Sequence, residues 1–400
     1  MFEQNAAVDA GARPWQGRGR LEQLAAELER QRLARFDFVA DPRNLIVDHT
    51  QGGQIVMMPG RNAPIEYDGP TVWDVSDDAL EQIGAHVKPN IPVSFIKALA
   101  KERPAKCVDL VNGLMWETAA ETGKRNLVRV LDGRVRAFLS DRYRMIDSAD
   151  VLFAALGAAK GTGARPLEAS LDDRHMRLKL VNYDIAEALD ARRVQHEWWR
   201  FGQLGNREYL ARIHQPVSFT AITNHPGPDM VHPVVTISNS ETGHGRFTAK
   251  IGLLLAVCTN LVTIEEVVSE IHLGSRHEAG IIYSETTKQV EGAAIVAKAI
   301  DTVKAAFDPA RFSKLVALAQ GASAETILDT VKAVDHVVDT SKVIRKEQRG
   351  ALLTYFTSDY QPTRLGLSEA VSRLAQDVDE PGFADEIESE AGRVMMEITK

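Results

Sequence analysis

The chain has 400 residues, 44% apolar and 26% charged, with a formal net charge of -8. That composition suits a globular protein of one large or two ordinary domains and excludes a disordered chain or one with a wholesale cationic coat. The longest apolar run, IGLLLAVCTNLVTI, is broken by Thr259 and Asn260 and is too short and polar to span a bilayer, so no membrane partner is expected.

The first residues, MFEQNAAVDAGARPWQ, lack the basic start and apolar stretch of a signal peptide. Cys107 and Cys258 form no disulfide framework, and together these features predict a cytoplasmic protein. Residues 1–18 show no period. GRLEQLAAELERQRLARF then places Leu21, Leu24, Ala25 and Leu28 on one face of an amphipathic helix. NLIVD and QIVMM read as two short strands. SDDALEQIGAHV opens a helical block capped by Ser76 or Asp77, broken at Pro104 and closed near Gly123.

NLVRVLDGRVRAFL predicts a hairpin turning at Asp132-Gly133. DSADVLFAALGAAKG follows as a helix capped by Asp147 or Ser148 and ended with help from Gly157 or Gly161. HMRLKLVNYDI and EYLARIHQPVSFTAIT read as strands, and the stretch from VVTISN to LVTIE as further apolar elements around a polar turn. From about Ser284 onward the pattern is helical. The predicted fold is α+β: an antiparallel sheet with a β-hairpin–helix core, flanked by N-terminal and C-terminal helices. The predicted partition is an arm over 1–75, a core domain over 76–284 and a helical region over 285–400.

Charge is unevenly distributed. Lys124 to Arg212 holds 17 Lys/Arg against 12 Asp/Glu, net +5, and Gln361 to Lys400 holds 4 against 9, net -5. A two-residue turn would set Leu131 opposite Arg134, Arg129 opposite Arg136 and Leu127 opposite Phe138. Val128, Val130, Val135 and Ala137 then form the core face, and the arginines share the other face with Phe138. Facing like charges need compensation, from the protein's own acids or from a bound phosphate. Arginines beside an aromatic on a sheet also suit single-stranded nucleic acid. Arg142, Tyr143 and Arg144 extend the patch.

ARRVQHEWWRFG adds Arg192, Arg193, Trp198, Trp199 and Arg200, a pairing of guanidinium groups for phosphates with rings for bases. The alternative is one core tryptophan and one at an interface. In SNSETGHGR, Asn239, Glu241 and His244 make a candidate loop site, or cap a tight turn. His232, His244, His272 and His277 match no zinc spacing, so no metal is expected. No P-loop, nucleophile elbow or dinucleotide fingerprint is present, so neither a cofactor nor ATP-driven motor activity is expected.

RAFLSDRYRMIDSADVL, ISNSETGHGRF with LLLAVCTNLVT, and IHLGSR together resemble the phage/plasmid-like protein family, whose members carry a domain of unknown function and occur in phages, prophages and conjugative plasmids. The helical stretches from Ala79 to Met115 and Leu367 to Met395 fit the same layout, so the resemblance covers roughly 75–395. Members often have CTNG where this chain has CTNL at Cys258–Leu261, which puts in doubt any role for that glycine's backbone. The resemblance implies DNA metabolism, recombination or defence against host systems. The expected protein is therefore an ATP-independent single-stranded DNA binder acting in annealing or recombination, self-associating, with its acidic C-terminal region open to a host protein. The alternatives are a nucleic-acid enzyme using the Ser238–Arg246 loop and an interaction protein that counters a host factor.

Overall fold

The computed structural model describes residues 17–19, 21–60, 71–143, 145–189, 229–255, 260–270, 285–378 and 380–397. The chain opens with β1 (Gly17–Gly19), α1 (Leu21–Ala34), β2 (Arg35–Ala40), β3 (Leu45–His49), β4 (Ile55–Pro59) and β5 (Trp73–Val75). Three helices follow, α2 (Asp77–His86), α3 (Val93–Glu102) and α4 (Pro104–Thr122), then β6 (Asn126–Leu131) and β7 (Arg134–Ser140). Ser76 caps α2, its Oγ accepting the Ala79 N–H at 3.1 Å, and Pro104 starts α4 where no amide donor is required.

These strands form a six-stranded sheet in the order β2-β6-β7-β5-β4-β3, antiparallel except for β5 beside β7. Helices α2–α4 cover one face, so that Trp73, Ile83, Met115, Val128, Val135 and Phe138 share one core. The exposed edge is partly closed by a side chain. Asn112 of α4 accepts the Val47 N–H at 2.8 Å and donates to the Val47 carbonyl at 2.7 Å, standing in for a missing strand neighbour.

The rest of the chain builds a second layer. It comprises α5 (Ser148–Thr162), β8 (Arg165–Leu171), β9 (Met176–Val181), β10 (Glu187–Leu189), β11 (Asp229–Asn239), β12 (Phe247–Leu255) and β13 (Asn260–Glu270). After these come α6 (Glu285–Ala306), α7 (Pro309–Ala324), α8 (Thr330–Thr340), α9 (Arg349–Asp359), α10 (Arg364–Gln376) and α11 (Pro381–Met396). The larger sheet runs β1-β8-β9-β11-β12-β13, with β10 also on β11. Leu178, Leu180, Val235 and Ile237 join Leu24 of α1, Leu152 of α5 and Val303 of α6 in the larger core. The molecule is α+β, and no helix among the described residues is long and apolar enough to cross a membrane.

The partition at 75/76 and 284/285 runs through these cores, since Trp73 shares one with Ile83 and Leu152 shares the other with Val303. Helix α5 runs through Gly157 and Gly161 and stops at Gly163. EYLARIHQPVSFTAIT lies outside the described residues.

The Asp132-Gly133 turn forms as expected, with φ of 53° and 74°, the signature of a type I′ hairpin, and Leu131 pairs with Arg134. The rest of the register differs. A bulge after Val135 leaves Arg136 as an extra residue, so Arg129 pairs with Ala137 and Val128 with Phe138. One inserted residue exchanges the faces: Phe138 enters the core and Ala137 joins Arg129.

Gly84 of α2 meets its neighbours without room for a side chain, since a Cβ would lie 2.2 Å from the Ile91 carbonyl oxygen. Gly113 of α4 has nothing within 4 Å of that position. Alanine in a helix ordinarily gains up to about 1 kcal/mol over glycine, so Gly113→Ala is expected to raise the urea midpoint. Gly84→Ala is expected to lower it, by about 1–3 kcal/mol of overpacking. A rise at both positions would refute the close approach.

Candidate functional site

The arginine face and the SNSETGHGR loop, separate in sequence, meet at the junction of the two sheets. Strand β2 sets this up by alternation. Phe36 and Phe38 point to the core beside Trp73, with ring centroids 6.4 and 5.5 Å from it, which turns Asp37 to the opposite face. Asp37 is the direct strand partner of Arg129. The β11–β12 loop then lies across that face.

Arg129 is only 1% exposed. Its Nη2 reaches Asp37 Oδ2 at 2.8 Å and Glu241 Oε2 at 3.5 Å, and its Nη1 donates to the Glu241 carbonyl at 2.5 Å. Arg136 Nη2 meets Glu241 Oε2 at 2.6 Å. Glu241 Oε1 accepts the Ser148 N–H at 2.8 Å, at the N-terminus of α5, where a negative charge is favoured. The protein's own acids thus supply the compensation the arginine face requires. Phosphate contact by Arg129 and Arg136 is corrected accordingly: both guanidinium groups are committed to internal carboxylates. Base stacking by Phe138 is corrected too, since its ring is 3% exposed and packs edge-on to His86.

Burial alone would raise the Glu241 carboxyl. The Arg136 and Arg129 guanidinium groups, with the Ser148 N–H, outweigh burial and hold it at about 2. Such a carboxylate is a poor general base near neutral pH. Asn239 is buried and donates to the Ile146 carbonyl at 3.0 Å and Ser148 Oγ at 2.9 Å. His244 lies 3.6 Å from Asp78 Oδ2 and 3.4 Å from Gln82 Nε2, and burial lowers its pKa although Asp78 opposes the shift. Gln82 Nε2 also donates to the Thr242 carbonyl at 2.7 Å. The loop residues therefore fasten one sheet to the other through contacts distant in sequence rather than by capping their own turn.

Around this knot the charges continue to pair across the junction. Arg30 of α1 holds Asp132 of the hairpin turn at 2.7 Å, Arg35 holds Asp147 at 2.6 Å and Arg174 holds Asp78 at 2.6 Å. A small cleft beside Glu241 is lined by Gln31, Arg136, Ser148, Asp173, Arg174 and His175. Burial, with Arg177 nearby, lowers His175 to about 4, so it is neutral at physiological pH.

Arg134 and Arg142 are exposed, and Arg134 helps hold Asp78 in its charged form. Tyr143 is half-buried and its hydroxyl donates to the Ser240 carbonyl at 2.9 Å, which places it within the junction. Arg144, Arg192, Arg193, Trp198, Trp199 and Arg200 lie outside the described residues, as do His272 and His277. No group of three or more His, Cys, Asp or Glu among the described residues is arranged to hold a metal ion. Asp37 and Gln82 are not among the sequence candidates, and Ser148 is one only as a helix cap. The RFDFVA alternation carried a signal for Asp37, since an acid between two inward aromatics faces the sheet's other side.

Fold and site together define an α+β protein whose two sheets are joined by a buried, charge-balanced knot. No family model matches the chain, and neither a curated protein nor a solved structure matches it.

Proposed function

We propose that the protein binds single-stranded DNA without ATP, self-associates, and acts in annealing or recombination in a phage or plasmid setting. Its contact surface on this reading is not the hairpin knot. The observation that carries it is the composition of residues 190–228, which lie in sequence between the paired Leu189 of β10 and Asp229 of β11. That stretch holds Arg192, Arg193, Arg200, Arg207 and Arg212 against Asp190, Glu197 and Glu208, together with Trp198, Trp199 and Phe201. Guanidinium groups neutralise phosphates and rings stack bases, a combination that tolerates any sequence. Arg134 and Arg142 add exposed charge, and the resemblance to the phage/plasmid-like protein family supplies the setting.

Fluorescence anisotropy with a labelled oligodeoxythymidine at several salt concentrations tests the reading. The full chain is expected to bind and to weaken steeply as salt rises. Trp198→Ala with Trp199→Ala is expected to cost about 10-fold or more, from stacking worth about 1–3 kcal/mol per base. Absence of binding even at low salt overturns the proposal.

A further inference from the structure

We propose that the polar face of the larger sheet is itself a single-stranded nucleic-acid surface, which the acidic helix α11 covers in the free protein. The inference rests on the single-stranded DNA reading above and names a second surface for it.

The two faces of this sheet are unlike. One buries Leu178, Leu180, Val235 and Ile237 against helices. The other presents Arg177, Lys179, Thr236, Ser238, Thr248 and Lys250 from three adjacent strands. Register aligns them: Lys179, Thr236 and Lys250 form one row, and Arg177, Ser238 and Thr248 the next. Two residues apart on one strand, Arg177 and Lys179 stand about 6.7 Å from each other, with Lys250 about 9.5 Å across from Lys179. Cations at that spacing, interleaved with hydroxyls, suit an extended phosphodiester chain lying over the strands.

Helix α11 occupies this face with carboxylates. Glu388 meets Lys179 Nζ at 2.7 and 2.9 Å, while Lys250 Nζ donates to Ser389 Oγ at 2.9 Å and lies 3.7 Å from Asp385. The helix starts directly on a guanidinium, since a Cβ at Gly382 would fall 2.6 Å from Arg177 Nη2. Glu168, 3.2 Å from Lys179, and Asp172, 2.8 Å from Arg177, belong to the sheet side and remain when the helix leaves. Among the described side chains, α11 supplies two of the four carboxylates beside Arg177, Lys179 and Lys250, and Glu266 stands opposite Lys250 in the strand register.

An interface serving stability alone would be apolar, like the opposite face, because a buried ion pair repays its desolvation poorly. Asp385 Oδ1 is buried without a hydrogen-bond partner among the described residues, a further cost of this contact. Burial also raises the Glu388 carboxyl against the pull of Lys179. The helix meets this sheet face through charges, while its Ala384, Ile387, Ala391, Val394 and Met395 are buried in the larger core, and it belongs to the segment with the chain's acidic excess.

The test uses the full chain. Glu388→Gln with Asp385→Asn loosens the cover, and is expected to tighten oligodeoxythymidine binding by about 10-fold, as the open state becomes populated. The salt slope is expected to steepen by about 1–2, from the added cations. Adding Lys179→Gln and Lys250→Gln to that variant is expected to remove the gain. In the unsubstituted protein, saturating oligonucleotide is expected to expose the amides of α11 to hydrogen exchange, a measurement that stands if the variants fail to fold. Unchanged affinity on loosening, or unchanged α11 protection at saturation, overturns the inference. If tryptophan-dependent binding persists in that case, the single-stranded DNA reading survives. Absence of binding in every form overturns both. An equal gain for duplex DNA overturns the single-strand assignment.

Discussion

Glu241→Gln is expected to destabilise the protein by about 3 kcal/mol at neutral pH and to flatten its stability between pH 4.5 and 2. The carboxyl falls from an ordinary 4.5 to about 2 in the fold, against the burial that would raise it, because Arg136, Arg129 and the Ser148 N–H all stabilise the ionised form. A depressed acid contributes its full stability above the unfolded value and loses it as the pH drops through the folded one. The unsubstituted chain should therefore weaken across that window more than the variant does. Urea unfolding at a series of pH values reads both slopes. Equal slopes would show that Glu241 is not the anion holding the junction together.

Arg129→Met is expected to cost about 3–5 kcal/mol, among the largest single effects in the molecule. The side chain is almost fully enclosed, so its removal leaves Asp37 facing an apolar methionine and deprives Glu241 of one of its two cations. Much of that loss is the penalty of an unpaired buried charge. Arg129→Met combined with Asp37→Leu should therefore be less destabilised than the two single effects together, by about 1–3 kcal/mol of coupling. A double-mutant cycle in urea measures it. Added salt should leave the coupling nearly unchanged, since a buried pair is poorly screened. Strict additivity would contradict the pairing.

Much of the local structure was legible. The Ser76 cap, the break at Pro104, the Asp147 cap and the Asp132-Gly133 turn each depend on a few neighbouring residues, and each forms. The bulge at Arg136 was not legible. A period-two reading counts every residue once, whereas the strand carries one more than its partner, and only the surrounding packing shows which one is extra. The error moved Phe138 to the wrong face and with it the case for base stacking on the hairpin. The knot illustrates a second limit. RVRAFL announced a charge in need of an opposite, but Asp37 lies 92 residues from Arg129 and Glu241 lies 105 from Arg136.

By itself, then, the sequence determined the α+β class, the hairpin and its turn, the helix caps, the uneven charge and the requirement for negative charge beside the arginines. These follow from backbone preferences and from residues close along the chain. Only the tertiary structure decided which anions answer the arginines, that the SNSETGHGR loop is a fastening, and that an acidic helix lies on a cationic sheet face. Those outcomes are set by long-range strand order and by the high cost of leaving a buried charge unpaired, and neither has a local signature.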